Sequence, residues 1–370
     1  MQFLVRVATI MGACLALCLS NGAAFADAPP VPDISACDPG GPCQTPLPVK
    51  VVIVSLFEIG QDEGDTAGEF QLWKERRALS MRIPFPQSFH DLYYNPETQV
   101  LGMVTGIGTA RSTAATMALG LDPRFDLSKA YWLVAGIAGI DPEDASIGSV
   151  AWARYVVDGD LAHEIDPREI PADWKFGYFP RQTQGPNDTS SKPDPSGGEM
   201  FRINPTLETW AYNLTKDIEL PDSEAIAAER ARFADDPHAQ EPPFVLEGDQ
   251  LSAMTFWHGK LMTDWANSWV RYWTSGKGEF VTSAMEDTGV MTSLTYLSEI
   301  GRADRDRVLV LRAGSNYTMP PPGVDAASYL LRENEGYAGL QAAVENLYTV
   351  GSKVVDELLG HWDKYEFGTP

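Results

Sequence analysis

The sequence predicts an α/β protein folded as one domain, and three observations carry that expectation. Apolar, β-branched runs alternate with helix-like stretches from residue 49 onward. The first run is apolar at every position rather than at every second one, and neither an internal repeat nor a clear linker interrupts residues 49–370. A strand apolar on both faces is covered on both faces, as in a sheet between helical layers. A span of about 320 residues is large but acceptable for a single α/β core.

Taken in order, 50–57 (KVVIVSLF) is that continuous strand, followed by a helix over about 69–79, a strand at 100–105 and a small-residue helix at about 110–119. Strands follow at 132–136 and 147–155. Residues 175–204 are loop-rich in Pro, Gly and Ser, long enough for a lid over a site and equally compatible with surface decoration. Two helical patterns lie near 205–232, then the aromatic stretch 257–273, a strand at 279–285, a helix to 300 and a strand at 307–311. The last helix repeats Tyr337, Leu340, Val344, Leu347, Val354, Val355 and Leu358 at spacings of three and four, one buried face.

Residues 1–26 carry one basic residue, Arg6, an apolar run over 7–19 and the small-residue site Ala24-Phe25-Ala26, the pattern of a secretory signal peptide cleaved near Ala26. A membrane anchor is the rival reading, but the run has about 13 residues where a span needs about 20. Cys18 raises a lipoprotein, yet more apolar chain follows it. The expected location is therefore outside the cytoplasm, periplasmic or extracellular, with 27–48 a flexible segment rich in Pro, Gly and Asp. Of the four cysteines, Cys37 and Cys43 remain after cleavage, in the run CDPGGPC. In an oxidising compartment they are expected to close a small disulfide loop; the rival metal site has no His or third Cys near it in sequence.

The formal net charge is −23. This excludes nucleic acid polymers and anionic membranes as partners and fits solubility in an exported chain. After the signal no stretch is long enough to span a bilayer; the most apolar, 130–140, has about half the length needed.

Nucleophile-elbow, P-loop, HExxH and paired CxxC motifs are absent, and the five histidines are scattered without ligand spacing, so no metal or cofactor is expected. The informative segments are strand ends. In TGIGTARST (105–113) a strand runs through glycines into a helix start, where backbone amides and the helix dipole suit an anion or a ligand hydroxyl. WLVAGIAGID (132–141) ends a strand in glycines before Pro142 and Gly148. SAMEDTG (283–289) and VLVLRAGSN (308–316) are the third and strongest pair, and SAMTFWHG (252–259) lies between.

These segments resemble the nucleoside phosphorylase and nucleosidase superfamily over about 50–155 and 247–360. The match is closest to the purine nucleoside permease family. The resemblance implies a single-domain three-layer sandwich around a mixed, twisted central β-sheet. It implies that Met285 packs on a ribose, that Glu286 accepts from both of its vicinal hydroxyls, and that the strand end at Asn316 faces the purine. Phe256 is the implied stacking residue, with Trp257 beside it. Thr105, Gly106 and Gly136 complete the substrate-binding set, and Gly108 and Arg111 are the candidates for phosphate. Read without the resemblance, Glu286 is an ordinary surface or capping acid, Asp287 an N-cap, and Trp265, Trp269 and Trp273 are core.

Two departures matter. Where phosphorylases supply an arginine to phosphate this chain has Val134, leaving Arg111 or Arg154 as substitutes, each more simply read as solvated. Asn316 stands where many relatives have a protonating aspartic acid; an amide cannot be the general acid, but it can hydrogen-bond purine N7 and a 6-oxo group. Asn316-Tyr-Thr318 is also a glycosylation sequon, poorly placed at a site-facing strand end. Three functions follow: an exported purine nucleoside-binding protein for uptake; a purine nucleosidase or phosphorylase with Glu286 and Asn316 as catalytic residues; or an interaction module that kept only the fold. Relatives of this kind generally assemble, which makes a homo-oligomer an expectation too.

Overall fold

The computed structural model describes residues 45–370 except 187, 189 and 334–337. The signal peptide, the Cys37–Cys43 pair, Tyr337 and all but the end of the 27–48 segment lie outside the described residues. At that end Leu47–Pro48 pair in parallel with Phe125–Asp126, so chain order begins slightly earlier than the first long strand.

Twelve strands form one mixed sheet. They are β1 (Val51–Ser55), β2 (Met81–Ile83), β3 (Leu92–Asn95), β4 (Val100–Val104), β5 (Tyr131–Ile140), β6 (Val150–Trp152), β7 (Tyr155–Asp158), β8 (Met200–Arg202), β9 (Val245–Glu247), β10 (Asp249–Ser252), β11 (Phe280–Ala284) and β12 (Val308–Tyr317). The main path runs β8-β7-β10-β11-β5-β1-β4-β3-β2, while β12 pairs with β5 and β6, and β6 with β9.

The expected helices appear as α1 (Gln71–Arg76), α2 (Thr109–Leu121), α3 (Pro205–Thr215) and α4 (Glu224–Arg230), the aromatic stretch is helical as α5 (Lys260–Trp273), and the expected α6 (Asp287–Glu299) follows, with α7 (Ala326–Glu333), the expected long α8 (Leu340–Gly360) and α9 (Trp362–Tyr365) closing the chain. Three expectations are corrected. The strand at 147–155 is two strands, β6 and β7, that go to different neighbours. The strand at 307–311 continues to Tyr317, because its glycine and polar end still pairs along β5. The helix at 69–79 starts only at Gln71, which leaves Glu69 in the preceding loop.

The continuous apolar runs are explained by layering. Val52, Val54, Leu101, Met103, Trp132, Val134, Val308 and Val310 face a core with Ala115 and Leu119 of α2 and Val290, Met291, Leu294 and Leu297 of α6. Their neighbours Val51, Ile53, Val100, Val104, Leu133, Leu309 and Leu311 face the opposite core, under Trp73 and the α8 residues Ala343, Leu347, Val350, Val354 and Leu358. Alternation of side chains along a strand therefore places helices on both faces, three layers in all.

β5 is where the sheet forks. One edge pairs in parallel with β1 from Val51↔Tyr131 to Val54↔Val134, then antiparallel with β11 at Ser283↔Gly139 and Thr282↔Ile140. The other edge carries β12 in parallel along almost its whole length. The ends of β11 and β12 are thereby brought to the two sides of one β5 residue, Gly139.

Candidate functional site

The register sets the geometry. Gly139 pairs with Ser283 on one side and Asn316 on the other. At about 4.8 Å between neighbouring strands, Ser283 and Asn316 stand about 10 Å apart, a gap one small molecule can bridge. A bulge between Gly314 and Asn316 leaves Ser315 unpaired, and its hydroxyl reaches Asn316 Oδ1 at 2.9 Å. Ile137, Gly139, Ser283 and Met285 are half-buried amid fully buried neighbours, which identifies this side of the strand ends as the open one. A Cβ at Gly139 would stand 3.5 Å from Asn316 Nδ2 and 3.3 Å from the Thr318 methyl.

The glycine turn after β4 is fastened to the end of β11. Gly108 N donates to Glu286 Oε1 at 3.2 Å, the Thr109 hydroxyl donates to the Met285 carbonyl at 3.2 Å, and the Ser112 hydroxyl to the Glu286 carbonyl at 2.8 Å. Gly106 and Gly108 have φ of +82° and +97°, which favour glycine. Thr105 is fully buried and its hydroxyl donates to Gly106 O. Arg111 is exposed, and its guanidinium donates to the Ile107 carbonyl at 3.1 Å.

The aromatic loop spans the gap from above. It leaves β10 with Ala253 N donating to Ala284 O at 3.0 Å, beside Met285, and it ends with Gly259 N donating to Thr318 O at 2.9 Å, two residues past Asn316. Phe256, at its middle, is 43% exposed. Trp257 does not stay beside it. Its indole packs T-shaped on Trp265 with centroids 5.7 Å apart and tilts against Phe280 at 5.9 Å, because a ring cluster offers it more burial than the loop does. Trp265, Trp269 and Trp273 are core, as expected.

Beneath the strand ends lies a charge cluster of Glu69, Glu286, Asp287 and Arg312, of which Arg312 is 1% exposed and Glu69 2%. Arg312 Nη2 pairs with Asp287 Oδ2 at 2.8 Å and Glu286 Oε2 at 3.3 Å, Nη1 lies 4.0 Å from Glu69 Oε1, and Nε donates to Asp287 Oδ1 at 3.1 Å. Asp287 is thus corrected from N-cap to buried counter-ion: Glu286 occupies the cap position and makes no side-chain cap bond.

Glu69 accepts from Leu56 N at 2.7 Å and Ile137 N at 2.8 Å, bonds that favour the ionised form. Burial outweighs them and the Arg312 charge, and with the nearby Glu286 pushes its carboxyl up to about 8. Burial likewise raises Glu286 above the usual carboxylate range, against the pull of Arg312. Burial alone would lower the Arg312 guanidinium, yet Asp287, Glu286 and Glu69 hold it above its ordinary value.

Gly136 belongs to this lower layer: a Cβ there would overlap Arg312 Nη1, Glu69 Oε1 and a Leu56 methyl, so glycine makes room for the ion pair. Arg154 is corrected as a phosphate candidate, since it pairs with buried Asp249 at 3.3 Å, and Val134 is wholly within the core.

Glu69 was not singled out by the sequence analysis, and Arg312 was read only as part of a motif. A signal existed for Arg312, a lone cation in the apolar run VLVLRAG, which requires a buried partner. None existed for Glu69, an acid in a loop. Among the described residues no group of three or more His, Cys, Asp or Glu side chains is placed to hold a metal ion.

Comparison with known proteins gives a consistent picture. The family model described as purine nucleoside permease (NUP) matches residues 48–370. A Schizosaccharomyces pombe protein named a probable purine nucleoside permease is 29% identical over 319 residues, 85% of this chain and 90% of its own length. A Candida albicans purine nucleoside permease is 29% identical over 325 residues, 86% of this chain and 77% of its own. Among solved structures, the 5'-methylthioadenosine/S-adenosyl homocysteine nucleosidase of Helicobacter pylori, complexed with a substituted pyrrolidin-3-ol, superposes with a TM-score of 0.50 at 16% identity. The match covers 85% of this chain and 100% of that one. The fold is nucleoside phosphorylase-like.

Proposed function

The chain belongs to the purine nucleoside permease family, and from that premise we propose that it is an exported protein that binds purine ribonucleosides at the β11 and β12 strand ends and serves their uptake. One observation carries the binding site: the loop bearing Phe256 is pinned at Ala284 and at Thr318, bridging the Met285–Glu286 and Asn316 strand ends. A ribose lies against Met285 with its hydroxyls on Glu286, Asn316 bonds the base edge, and Phe256 covers the base face. Glu286 suits this role because Gly108 N, Met285 N and Arg312 orient it while leaving acceptor capacity on Oε1. Phosphate has weaker support, as Arg154 is committed to Asp249 and Arg111, the candidate cation at the turn, spends an N–H on the Ile107 carbonyl. No helix among the described residues is long and apolar enough to cross a membrane. Cleavage near Ala26 and a Cys37–Cys43 disulfide belong to the same proposal, and the intact mass of the exported chain tests both.

A second reading, cleavage of the N-glycosidic bond, is favoured by Glu69. A carboxyl pushed up to about 8 next to Glu286 exchanges its proton near neutral pH, as acid-base groups of hydrolytic sites do. Incubation with inosine, guanosine and adenosine, with and without phosphate, separates the readings. Calorimetric binding without release of free base is expected; release at a catalytic rate ends the pure-binding proposal, and phosphate dependence of that release ends the hydrolase reading.

A further inference from the structure

The aromatic loop is held at a third point, between its two ends. Met254 N, the amide after Ala253, donates to both oxygens of one carboxylate, Asp160 Oδ2 at 2.9 Å and Oδ1 at 3.2 Å. Ala253 still bonds the end of β11, so this contact begins where the grip of the sheet stops. Phe256 stands two residues further on, and the ring after it, Trp257, is fixed against Trp265 and Phe280. The residue proposed to cover the base therefore lies between a carboxylate pin on one side and an aromatic one on the other.

The turn after β7 aims that carboxylate. Asp158 Oδ1 accepts from Asp160 N at 2.9 Å and from Leu161 N at 2.8 Å, an Asx turn in which a side-chain oxygen takes the place of a backbone carbonyl. The turn is fastened on three sides. Gly159 N donates to Ser252 O at 2.8 Å, Gly159 O accepts from the Tyr178 hydroxyl at 2.5 Å, and Asp158 O accepts the Trp269 indole N–H at 2.6 Å. A Cβ at Gly159 would stand 3.0 Å from the Ala253 Cβ, so glycine lets the turn lie against the first residue of the loop. Tyr178 comes from the loop-rich stretch left open in sequence as lid or decoration. Its strand, Tyr178–Pro180, pairs with Ala162–Glu164, and its ring stacks on Trp269 with centroids 5.6 Å apart, which makes it a brace behind the turn. Asp160 and Met254 are both exposed, so losing their bond leaves no buried orphan group and spares the fold. What it releases is the loop.

We propose that Asp160 is a positioning residue for the nucleoside site: its carboxylate holds Met254 N so that the loop presents Phe256 to the base. The inference rests on the nucleoside reading for its ligand and on the turn geometry for its mechanism, and the two are tested separately. Asp160→Ala removes both acceptor oxygens, whereas Asp160→Asn keeps one for the same amide; circular dichroism should be unaltered in either. In the unliganded full chain, hydrogen exchange over 253–259 followed by mass spectrometry should be faster in Asp160→Ala than in the wild type, and Asp160→Asn should recover most of the difference. Inosine titrated by calorimetry should bind Asp160→Ala about three- to tenfold more weakly, the effect of one hydrogen bond, with most of the loss again recovered by Asp160→Asn. In a Phe256→Ala background the same Asp160→Ala change should cost less than about twofold, because a residue acting through Phe256 then has nothing to position. Unchanged exchange in Asp160→Ala overturns the pin. Unchanged inosine affinity, or an equal loss with and without Phe256, overturns the positioning role and spares the nucleoside reading. A wild type that binds no inosine removes that reading, and this role with it.

Discussion

Replacing Arg312 with Met tests the electrostatics under the strand ends. The guanidinium faces Glu69, Glu286 and Asp287, all nearly inaccessible to water. Removing one partner of a buried ion pair costs about 3–5 kcal/mol, a large share of the roughly 5–15 kcal/mol that holds a domain folded. The pH dependence is the sharper signature. In the wild type Glu69 is raised from 4.5 to about 8, so the folded chain holds its proton more tightly than the unfolded one. The stability this gives is complete below about pH 4.5 and is lost as pH rises through about 8. At about 1.4 kcal/mol per pH unit, about 5 kcal/mol is the upper bound for that loss, and Glu286 adds in the same direction. Without Arg312 both carboxyls rise further, so the variant's penalty is small in acid and grows with pH. Urea unfolding followed by circular dichroism at about pH 5 and about pH 8.5 measures this, with unchanged m-values securing the comparison. A penalty equal at both pH values, or below about 1 kcal/mol at the higher one, refutes the reasoning.

Other substitutions probe the site and its frame. Glu286→Gln removes a carboxylate acceptor from a cluster already rich in negative charge. It should leave unfolding stability equal or higher while weakening inosine binding about 10- to 100-fold, the value of a charged hydrogen bond; unchanged affinity by calorimetry removes Glu286 from the ribose. Gly139→Leu projects a side chain onto the open face between Ser283 and Asn316. It should abolish inosine binding with circular dichroism intact, and persistent binding would place the ligand elsewhere. Gly289→Ala drives a methyl into the Ser112 hydroxyl and the Thr109 carbonyl where α2 and α6 touch, so a loss of about 1–3 kcal/mol is expected from overpacking. An unchanged urea midpoint would mean that this helix contact is looser than drawn.

The α/β class, the doubly covered strands and the three segments proposed to form the site were legible in the sequence. Each of these is a local property: the unbroken apolar run of Val51–Val54, glycines where φ turns positive at Gly106 and Gly108, and an acid and an amide at strand ends. Tertiary structure alone decided what those segments face. Nothing near Glu69 in the chain announces that it will accept from Ile137 N and stand 4.0 Å from Arg312. Asp287 looks like a cap until β12 delivers a guanidinium to it, and Trp257 looks like a ligand contact until α5 supplies a ring cluster. The ten-residue length of β12 was invisible at its polar end because pairing with β5, not hydrophobicity, extends it to Tyr317. Periodicity records which side of an element is buried, but a buried charge is defined by its partner, and partners distant in sequence meet only through the register of the folded sheet.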